Sequence, residues 1–295
     1  MQRRQALAAM AGTATLAAGC TLAPGQDHAG PDAPLAAPLP PWPRPRVRAW
    51  VLGSGGPRGF VHVGVVKALQ ELKLVPDLIV GASAGAVVGV LCAAGWTAAR
   101  LEQRALDLGA MDLLRWNPLG STRFSGNAIA ELVDRELHQR RLQDLPMRVA
   151  CAVQRLRDGQ VLAFTRGHAG LAVQASAAIE GQLAPVVVRG EAYADADLRM
   201  PLPVRLARSL GATQVLAVDA SAHEDRAPPG AERWRDSDRR KRELTAPDAA
   251  AADLVLHPDI GYWAGYARDY RLRVIEAGYR QTLAQAGALR ALHAG

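Results

Sequence analysis

Residues 78–85 read Leu-Ile-Val-Gly-Ala-Ser-Ala-Gly and place Ser83 at the junction of two different apolar patterns. The first three residues predict a short buried strand, and the apolar residues after the motif predict a helix. Gly81 and Gly85 complete a G-x-S-x-G motif, in which residues without bulk allow a sharp strand-to-helix turn that exposes the serine hydroxyl. Ser83 is therefore predicted to be a nucleophile, and the alternative is a tight turn with an idle serine.

Short apolar strands alternate with helical patterns on both sides of this turn. Strands are expected at residues 47–52, 77–80, 147–154, 161–165, 186–194, 214–219 and 253–257. Helices are expected at residues 60–72, 84–94, 98–108, 127–138, 170–177, 203–210 and 265–292. This alternation predicts one domain over residues 46–292 with an α/β fold, a three-layer sandwich in which helices cover both faces of a mostly parallel central sheet.

Residues 53–59, Gly-Ser-Gly-Gly-Pro-Arg-Gly, lie between the first expected strand and its helix. A loop this rich in glycine lets backbone N–H groups converge on an anion. Arg58 breaks the G-x-G-x-x-G spacing of a dinucleotide site, and the loop has no Gly-Lys-Ser/Thr as a P-loop would. An oxyanion hole for Ser83 remains, because the loop lies one strand–helix unit earlier at the same carboxyl edge of the sheet.

A serine nucleophile needs a base to take its proton. Of the seven histidines, only His223, His257 and His293 follow the best carboxylate candidates, as the usual order of an α/β-hydrolase triad requires. His223 lies in a charged segment, His257 ends an expected strand, and His293 is close to the last residue. None of these contexts is typical of a catalytic histidine, so the sequence favours direct Ser–Asp catalysis.

Three motifs in one order resemble the patatin-like phospholipases: residues 52–69 (LGSGGPRGFVHVGVVKAL), residues 81–85 and residues 193–204 (YADADLRMPLPV). The resemblance spans roughly residues 46–290 and implies a modified α/β-hydrolase-like fold that cleaves acyl esters of lipids. It also implies roles for particular residues, with neither cofactor nor metal. Ser83 would be the nucleophile, Asp195 the base, and the backbone at Gly55, Gly56 and Arg58 the oxyanion hole.

The sequence departs from the family pattern at the predicted base. The family usually has Asp-Gly-Gly or Asp-Gly-Ala, whereas this chain has Asp195-Ala196-Asp197. Ala196 cannot adopt glycine-only backbone angles cheaply, and the charge of Asp197 is expected to raise the pKa of Asp195. Glu180 stands where the family commonly has proline. Two alternatives therefore remain, a His-assisted esterase that uses Ser83, Asp195 and His257, and a catalytically weak envelope scaffold that binds lipids.

The amino-terminal residues predict a targeting signal rather than a folded element. Residues 1–20 combine Arg3 and Arg4 with an apolar, small-residue run that ends in Ala-Ala-Gly-Cys, the layout of a bacterial export signal. Small residues before Cys20 resemble a lipobox, which would make Cys20 the site of lipidation; a twin-arginine signal and a plain secretory signal are the alternatives. Residues 21–45 hold eight prolines and are interpreted as a semi-extended linker. The expected location is the periplasmic side of a bacterial envelope membrane.

Composition narrows the range of partners. The net charge is +7, but basic residues alternate with acidic ones and no nucleic-acid motif is present, so no nucleic-acid partner is predicted. The three cysteines have neither C-x-x-C nor zinc spacing, so no metal site is predicted. The expected partners are a lipid or acyl-ester substrate and a membrane surface. The charged segment 222–248 is interpreted as a lid or membrane-touching segment, or as a solvated or disordered loop.

Overall fold

The computed structural model describes residues 26–109, 112–113, 115–117 and 122–294. The strands are β1 (Arg48–Leu52), β2 (Leu78–Ala82), β3 (Arg115–Trp116), β4 (Phe124–Ser125), β5 (Arg148–Arg155), β6 (Val161–Phe164), β7 (Val186–Val188), β8 (Glu191–Asp195), β9 (Gln214–Val218) and β10 (Leu254–Leu256). The helices are α1 (Val61–Glu71), α2 (Ala84–Ala93), α3 (Ala98–Asp107), α4 (Asn127–Leu137), α5 (Ala169–Ser176), α6 (Val204–Ser209), α7 (Arg235–Ala251), α8 (Arg268–Ala284) and α9 (Ala286–Ala294). Within the described ranges, every helix is too short or too polar to cross a bilayer.

Eight strands form the central sheet in the order β10, β9, β1, β2, β5, β8, β7, and β6 pairs with β5 as well. The five strands from β10 to β5 are parallel, whereas the pairs β5–β6, β5–β8 and β7–β8 are antiparallel. The prediction of an α/β fold with a mostly parallel sheet is therefore confirmed. The short pair β3–β4, which forms a separate two-stranded sheet, was not expected from the sequence.

Alternate residues of the parallel strands enter hydrophobic clusters on opposite faces of the sheet, as the two-residue period of a strand requires. In β1, Trp50 and Leu52 belong to the larger cluster, which includes residues of α1, α2, α3, α4 and α5. Ala49 and Val51 belong to a second cluster that includes residues of α6. Helices thus cover both faces of the sheet, which is the three-layer arrangement.

The strand register brings the ends of β2 and β8 to one level of the sheet. Ala82 of β2 pairs with Ala152 of β5, and the next residue of β5, Val153, pairs with Asp195 of β8. Ser83 directly follows β2, and the glycine loop directly follows β1, the neighbouring parallel strand. The topology therefore gathers the predicted nucleophile, carboxylate and glycine loop at the same edge of the sheet.

Two expected elements are each divided in the structure. Residues 186–194 form β7 and β8 rather than one strand, because Arg189 and Gly190 turn the chain with positive φ angles of 50° and 78°. Residues 265–292 form α8 and α9 rather than one helix, because the backbone leaves helical geometry at Gln285, where φ is −99° and ψ is 15°.

Helix α7 contradicts the interpretation of residues 222–248 as a solvated or disordered loop. The helix occupies residues 235–251, and its residue Asp248 is fully buried and attaches it to α6. The Asp248 carboxylate accepts the backbone N–H of Arg205 at 2.8 Å and a guanidinium N–H of the same residue at 2.9 Å. These bonds attach the carboxyl-terminal half of α7 to the start of α6, so this part of the segment is ordered structure.

The proline-rich residues 26–45, which we name the strap, lie against the domain. The N–H of Ala37 donates to Thr165 Oγ1 at 3.2 Å, and the indole N–H of Trp42 donates to the Leu210 carbonyl at 3.0 Å. The guanidinium of Arg148 stacks on the Trp42 ring with 4.0 Å between its Cζ and the ring centroid. These contacts hold the strap on the surface of the domain, so this part of the predicted semi-extended linker does not stand away from it; residues 21–25 lie outside the described residues.

Candidate active site

Ser83 has a strained backbone conformation, with φ at 53° and ψ at −122°, between the end of β2 and the start of α2. The glycines on either side make this turn possible because the backbone approaches them closely. A Cβ on Gly81 would lie 2.5 Å from the Ala86 Cα, and one on Gly85 would lie 2.1 Å from the Leu52 carbonyl oxygen. The structure thus places the G-x-S-x-G motif on a sharp strand-to-helix turn, with the serine at the N-terminus of α2.

A buried hydrogen-bond chain fixes the main chain of Ser83. Its N–H donates to Ser176 Oγ at 3.1 Å, and the Ser176 hydroxyl donates to the Ala152 carbonyl at 2.7 Å. Ser176 ends α5 and is fully buried. Sequence reasoning assigned this serine only to a helix, since no local pattern connects it to a residue so far away in the chain.

Asp195 ends β8, is buried, and lines the same cleft as Ser83. The cleft encloses about 640 Å³ of empty space. Asp195 Oδ1 accepts the backbone N–H of Asp197 at 2.9 Å. Burial, followed by the charge of Asp197, raises the pKa of the Asp195 carboxyl to about 7, whereas the Ser83 hydroxyl, the Asp197 N–H and the charge of Lys241 oppose that rise. A carboxyl with such a pKa can take and return a proton near neutral pH.

Ala196 is accommodated without strain after Asp195. It begins a 3₁₀ turn over Ala196–Leu198, and its φ is not positive, so this position does not need glycine. Its buried side chain packs with Ala82 and Ala152. The backbone penalty expected for alanine at this position is therefore absent from the structure.

The glycine loop lies beside Ser83 and presents two backbone amides there. Gly55 and Gly56 line the cleft, and within the described residues their N–H groups have no hydrogen-bond acceptor. The N–H of Arg58 instead donates to the Gly55 carbonyl at 3.0 Å. The prediction that the Arg58 backbone contributes to an oxyanion hole is thus at odds with this arrangement, because that amide is already bonded within the turn.

His62 is hydrogen-bonded to Gly53, the first residue of the glycine loop, and the sequence did not predict this contact. Its ring is fully buried, and burial lowers the pKa of His62 to about 4, so the imidazole is neutral at pH 7. The ring Nε2 lies 2.8 Å from the Gly53 carbonyl oxygen and donates its proton to it. The strand-to-loop transition is therefore held by a side chain of the following helix.

A second, apolar cavity begins at Ser83 and passes among the first four helices. It encloses about 920 Å³ of empty space. Its apolar lining includes Phe60, Val63, Val87, Leu91, Leu101 and Leu132. The cavity and the polar cleft share Ser83 and Gly56, so the serine stands where an apolar compartment and a polar one meet.

Three polar residues beside the cleft form a network that the sequence did not reveal. The ammonium group of Lys241 donates to Asp197 Oδ1 and, at 3.0 Å, to Ser54 Oγ; the Ser54 hydroxyl also donates to Asp197 Oδ1. Burial acts to raise the pKa of Asp197, but the charge and hydrogen bond of Lys241 outweigh it and lower that pKa. The sequence indicated an extra charge at Asp197 but no partner for it, because Lys241 lies within a charged run.

His257, the base of the alternative mechanism, contacts other residues. Its Nε2 lies 3.1 Å from the Ser221 carbonyl oxygen and 3.4 Å from the Ser221 hydroxyl. Its ring stacks on His223 with 3.8 Å between centroids. The structure thus brings Ser83, Asp195, Gly55 and Gly56 together, while His257 has hydrogen bonds to Ser221. The predicted lipidation site, Cys20, lies outside the described residues.

Curated proteins with similar sequences carry patatin-like or NTE-family names. Patatin-like phospholipase domain-containing protein 6 of Mus musculus is 29% identical over 185 residues, which are 60% of this chain and 14% of that protein. An uncharacterized NTE family protein of Mycobacterium tuberculosis is 33% identical over 193 residues, 61% of this chain and 50% of that protein. Lysophospholipase NTE1 of Coccidioides immitis is 28% identical over 187 residues, 61% of this chain and 12% of that protein. The chain therefore spans half or less of these relatives.

Two solved structures align with the chain at low sequence identity. VipD from Legionella pneumophila has a TM-score of 0.48 and 12% identity, and the alignment covers 82% of this chain and 67% of VipD. The type III effector protein ExoU has a TM-score of 0.46 and 16% identity, with 86% of this chain and 54% of ExoU covered.

The family model described as patatin-like phospholipase matches residues 50–208. The match includes the glycine loop, Ser83 and Asp195, which are the residues that the structure gathers at the cleft. Because it covers more than half of the 295 residues, the chain belongs to the patatin-like phospholipase family.

Proposed function

We propose that this protein is a lipid acyl hydrolase in which Ser83 is the nucleophile and Asp195 is the general base. The observation that carries the proposal is the meeting at one cleft of a strained serine, a buried carboxyl and two glycine amides that have no acceptor among the described residues. The names of the relatives support the substrate class, since they include phospholipase and lysophospholipase. The apolar cavity at Ser83 offers a compartment for the acyl chain of such a substrate.

The reaction begins when the unprotonated Asp195 carboxylate takes the Ser83 proton and the serine oxygen attacks the ester carbonyl carbon. The N–H groups of Gly55 and Gly56 hold the resulting oxyanion, and the N-terminus of α2 favours the same negative charge. Collapse of this intermediate breaks the ester bond, and the leaving alcohol takes the proton from Asp195.

A water molecule completes the cycle. Asp195 takes a proton from the water as it attacks the acyl carbonyl, and the second oxyanion collapses to free the Ser83 oxygen. The serine recovers its proton from Asp195, and the fatty acid leaves. Each proton taken by the carboxyl is returned, so Asp195 alone can serve both halves of the reaction.

We also propose that the protein is exported and attached to a membrane. Residues 1–20 support export, and Cys20 supports attachment of a lipid that would hold the domain at the periplasmic side of a bacterial membrane. Such an anchor would keep the cleft close to lipid substrates.

The test of the proposed function is hydrolysis of short-chain p-nitrophenyl esters together with labelling by a fluorophosphonate probe. We expect wild-type protein to hydrolyse the ester and to carry the probe on Ser83. We expect Ser83→Ala to lose both properties and Asp195→Asn to lose at least about 10²-fold in kcat/KM, because proton transfer contributes about that much. Ser209→Ala is the matched control, since the Ser209 hydroxyl, at the end of α6, donates to the Leu206 carbonyl and lines neither the cleft nor the apolar cavity. Equal hydrolysis by wild type and Ser83→Ala would refute the proposal.

A further inference from the structure

Asp197 occupies a position at which the family usually has glycine or alanine, and here its carboxylate has two side-chain partners from remote segments. Ser54 comes from the glycine loop, and Lys241 comes from α7. The Ser54 side chain is buried, and only 29% of the Asp197 side chain and 21% of the Lys241 side chain are exposed. We name this group of Ser54, Asp197 and Lys241 the latch.

The latch connects the parts of the site that must act together. Ser54 immediately precedes Gly55 and Gly56, and its own N–H donates to the Pro201 carbonyl at 2.8 Å. Asp197 donates its N–H to Asp195 Oδ1, and the second carboxyl oxygen, Oδ2, is buried without a hydrogen-bond partner among the described residues. Lys241 adds α7, from which Asp238 and Lys241 line the cleft. The Lys241 ammonium therefore connects α7 with the residue that precedes the two glycine amides and with the turn that follows Asp195.

We propose that Asp197 and Lys241 are positioning residues for the hydrolysis proposed above: their ion pair, closed by Ser54, holds the Asp195 carboxyl and the glycine-loop amides in one arrangement and fastens α7 beside the cleft. This inference rests on the proposed function for its kinetic readout. It assigns a purpose to the departure from the family pattern, because the carboxylate of Asp197 supplies a contact that glycine or alanine could not make.

The charges of the latch act on the pKa of Asp195, and this effect can be measured. Ionisable groups line both spaces that Asp195 borders. They are Asp197 from its own turn, Asp238, Arg240 and Lys241 from α7, Arg58 from the glycine loop, and Glu180, Arg233 and Tyr262. Asp197 raises the pKa of Asp195, and Lys241 lowers it. Removing either member of the pair therefore changes the proton affinity of the base, and the two removals act in opposite directions.

The experiment measures kcat/KM of a neutral short-chain ester against pH. In Lys241→Met, the midpoint of the low-pH limb should move to higher pH by about 0.5–1 unit. At pH values below that midpoint, kcat/KM should therefore fall about threefold to tenfold. In Asp197→Asn, which retains the shape of the side chain, the limb should move down. Lys241→Arg should restore the wild-type limb at least in part. Lys67→Met is the matched control, since Lys67 of α1 forms a 2.8 Å ion pair with Glu102 of α3, outside the latch.

A shift in opposite directions supports the latch, because general damage to the fold would lower activity at every pH without moving the limb. Limbs that stay in place, or that move in the same direction in both variants, would overturn it. Thermal unfolding of each variant separates loss of folded protein from loss of positioning.

Hydrogen exchange of the Ser83→Ala protein tests the latch without any activity. Adding Lys241→Met should speed exchange both in residues 53–60 and in residues 195–199, although neither segment adjoins Lys241 in sequence, whereas Lys67→Met should leave both segments unchanged. Faster exchange confined to α7 would overturn the proposal. If wild-type protein shows no hydrolysis, the proposed function fails, yet this exchange measurement still decides whether the latch exists.

Discussion

At the residue scale, the site depends on one unfavourable backbone conformation. Holding a non-glycine residue at the φ and ψ of Ser83 costs of the order of 1–3 kcal/mol. Neighbouring contacts impose that conformation: Gly81 and Gly85 leave room for the turn, and Ser176 holds the Ser83 N–H. The strained turn places the buried Ser83 at the cleft and at the start of a helix, where negative charge is favoured.

As the proposed base, the buried Asp195 should make activity depend on pH. A base acts when unprotonated, and the pKa of Asp195 is raised to about 7, first by burial and then by the charge of Asp197. We therefore expect kcat/KM for a neutral ester to rise with pH through about 7 and to fall about tenfold per pH unit well below it. The measurement is a profile from about pH 5 to about pH 9.

A matched variant controls that profile. Asp158 is an exposed carboxylate whose pKa is lowered to about 2 by its hydrogen bond with Arg155, so it does not titrate in this range. Asp158→Asn should therefore leave the limb in place. A wild-type profile with its limb near the ordinary aspartate pKa of about 4 would contradict the assignment of Asp195.

At the scale of elements, helix α2 does two things at once. In the proposed mechanism its N-terminus would receive the charge that develops at Ser83, and its side chains Val87 and Leu91 line the apolar cavity. Leu91 lies eight residues after Ser83, which is about 12 Å along a helix, so only longer acyl chains should reach it.

Leu91→Trp should therefore shorten the usable cavity. We expect kcat/KM for a p-nitrophenyl ester of a long fatty acid to fall about tenfold or more, while hydrolysis of the butyrate ester changes little, because each lost methylene contact is worth about 1–3 kcal/mol. Leu91→Met, which nearly conserves volume, is the control. A parallel loss on both esters would indicate that the acyl chain lies elsewhere.

Elements and site differ in how far the sequence could predict them. The G-x-S-x-G turn, the parallel strands and the position of Asp195 were predictable because each rests on a local pattern or a family motif. The latch and Ser176 were not, because their partners are distant in sequence and meet only in the folded domain. The His62 contact was missed because it depends on how the glycine loop turns back towards α1. Helix α7 was missed because its polar sequence has no apolar stripe; its order comes from Asp248, buried against α6, and from Lys241.

At the scale of the whole molecule, the proposed lipidation of Cys20 would determine where the domain acts. When the full chain is expressed in a bacterium fed an alkyne-tagged fatty acid, we expect the tag on wild-type protein and its recovery with the membrane fraction. Cys20→Ser should lose the tag and the membrane association. Cys92→Ser, at a buried thiol in α2, is the control. An untagged wild-type protein, cleaved and free of the membrane, would favour a plain secretory signal instead.

The strap has a consequence for the order in which the protein is built. Residues 26–45 leave the ribosome before any of their partners, since Thr165 and Leu210 are translated more than a hundred residues later. Closing such long loops costs entropy that is recovered only when the sheet exists to receive the strap. The strap is thus synthesised before these partners, and we expect it to be among the last parts of the described domain to dock.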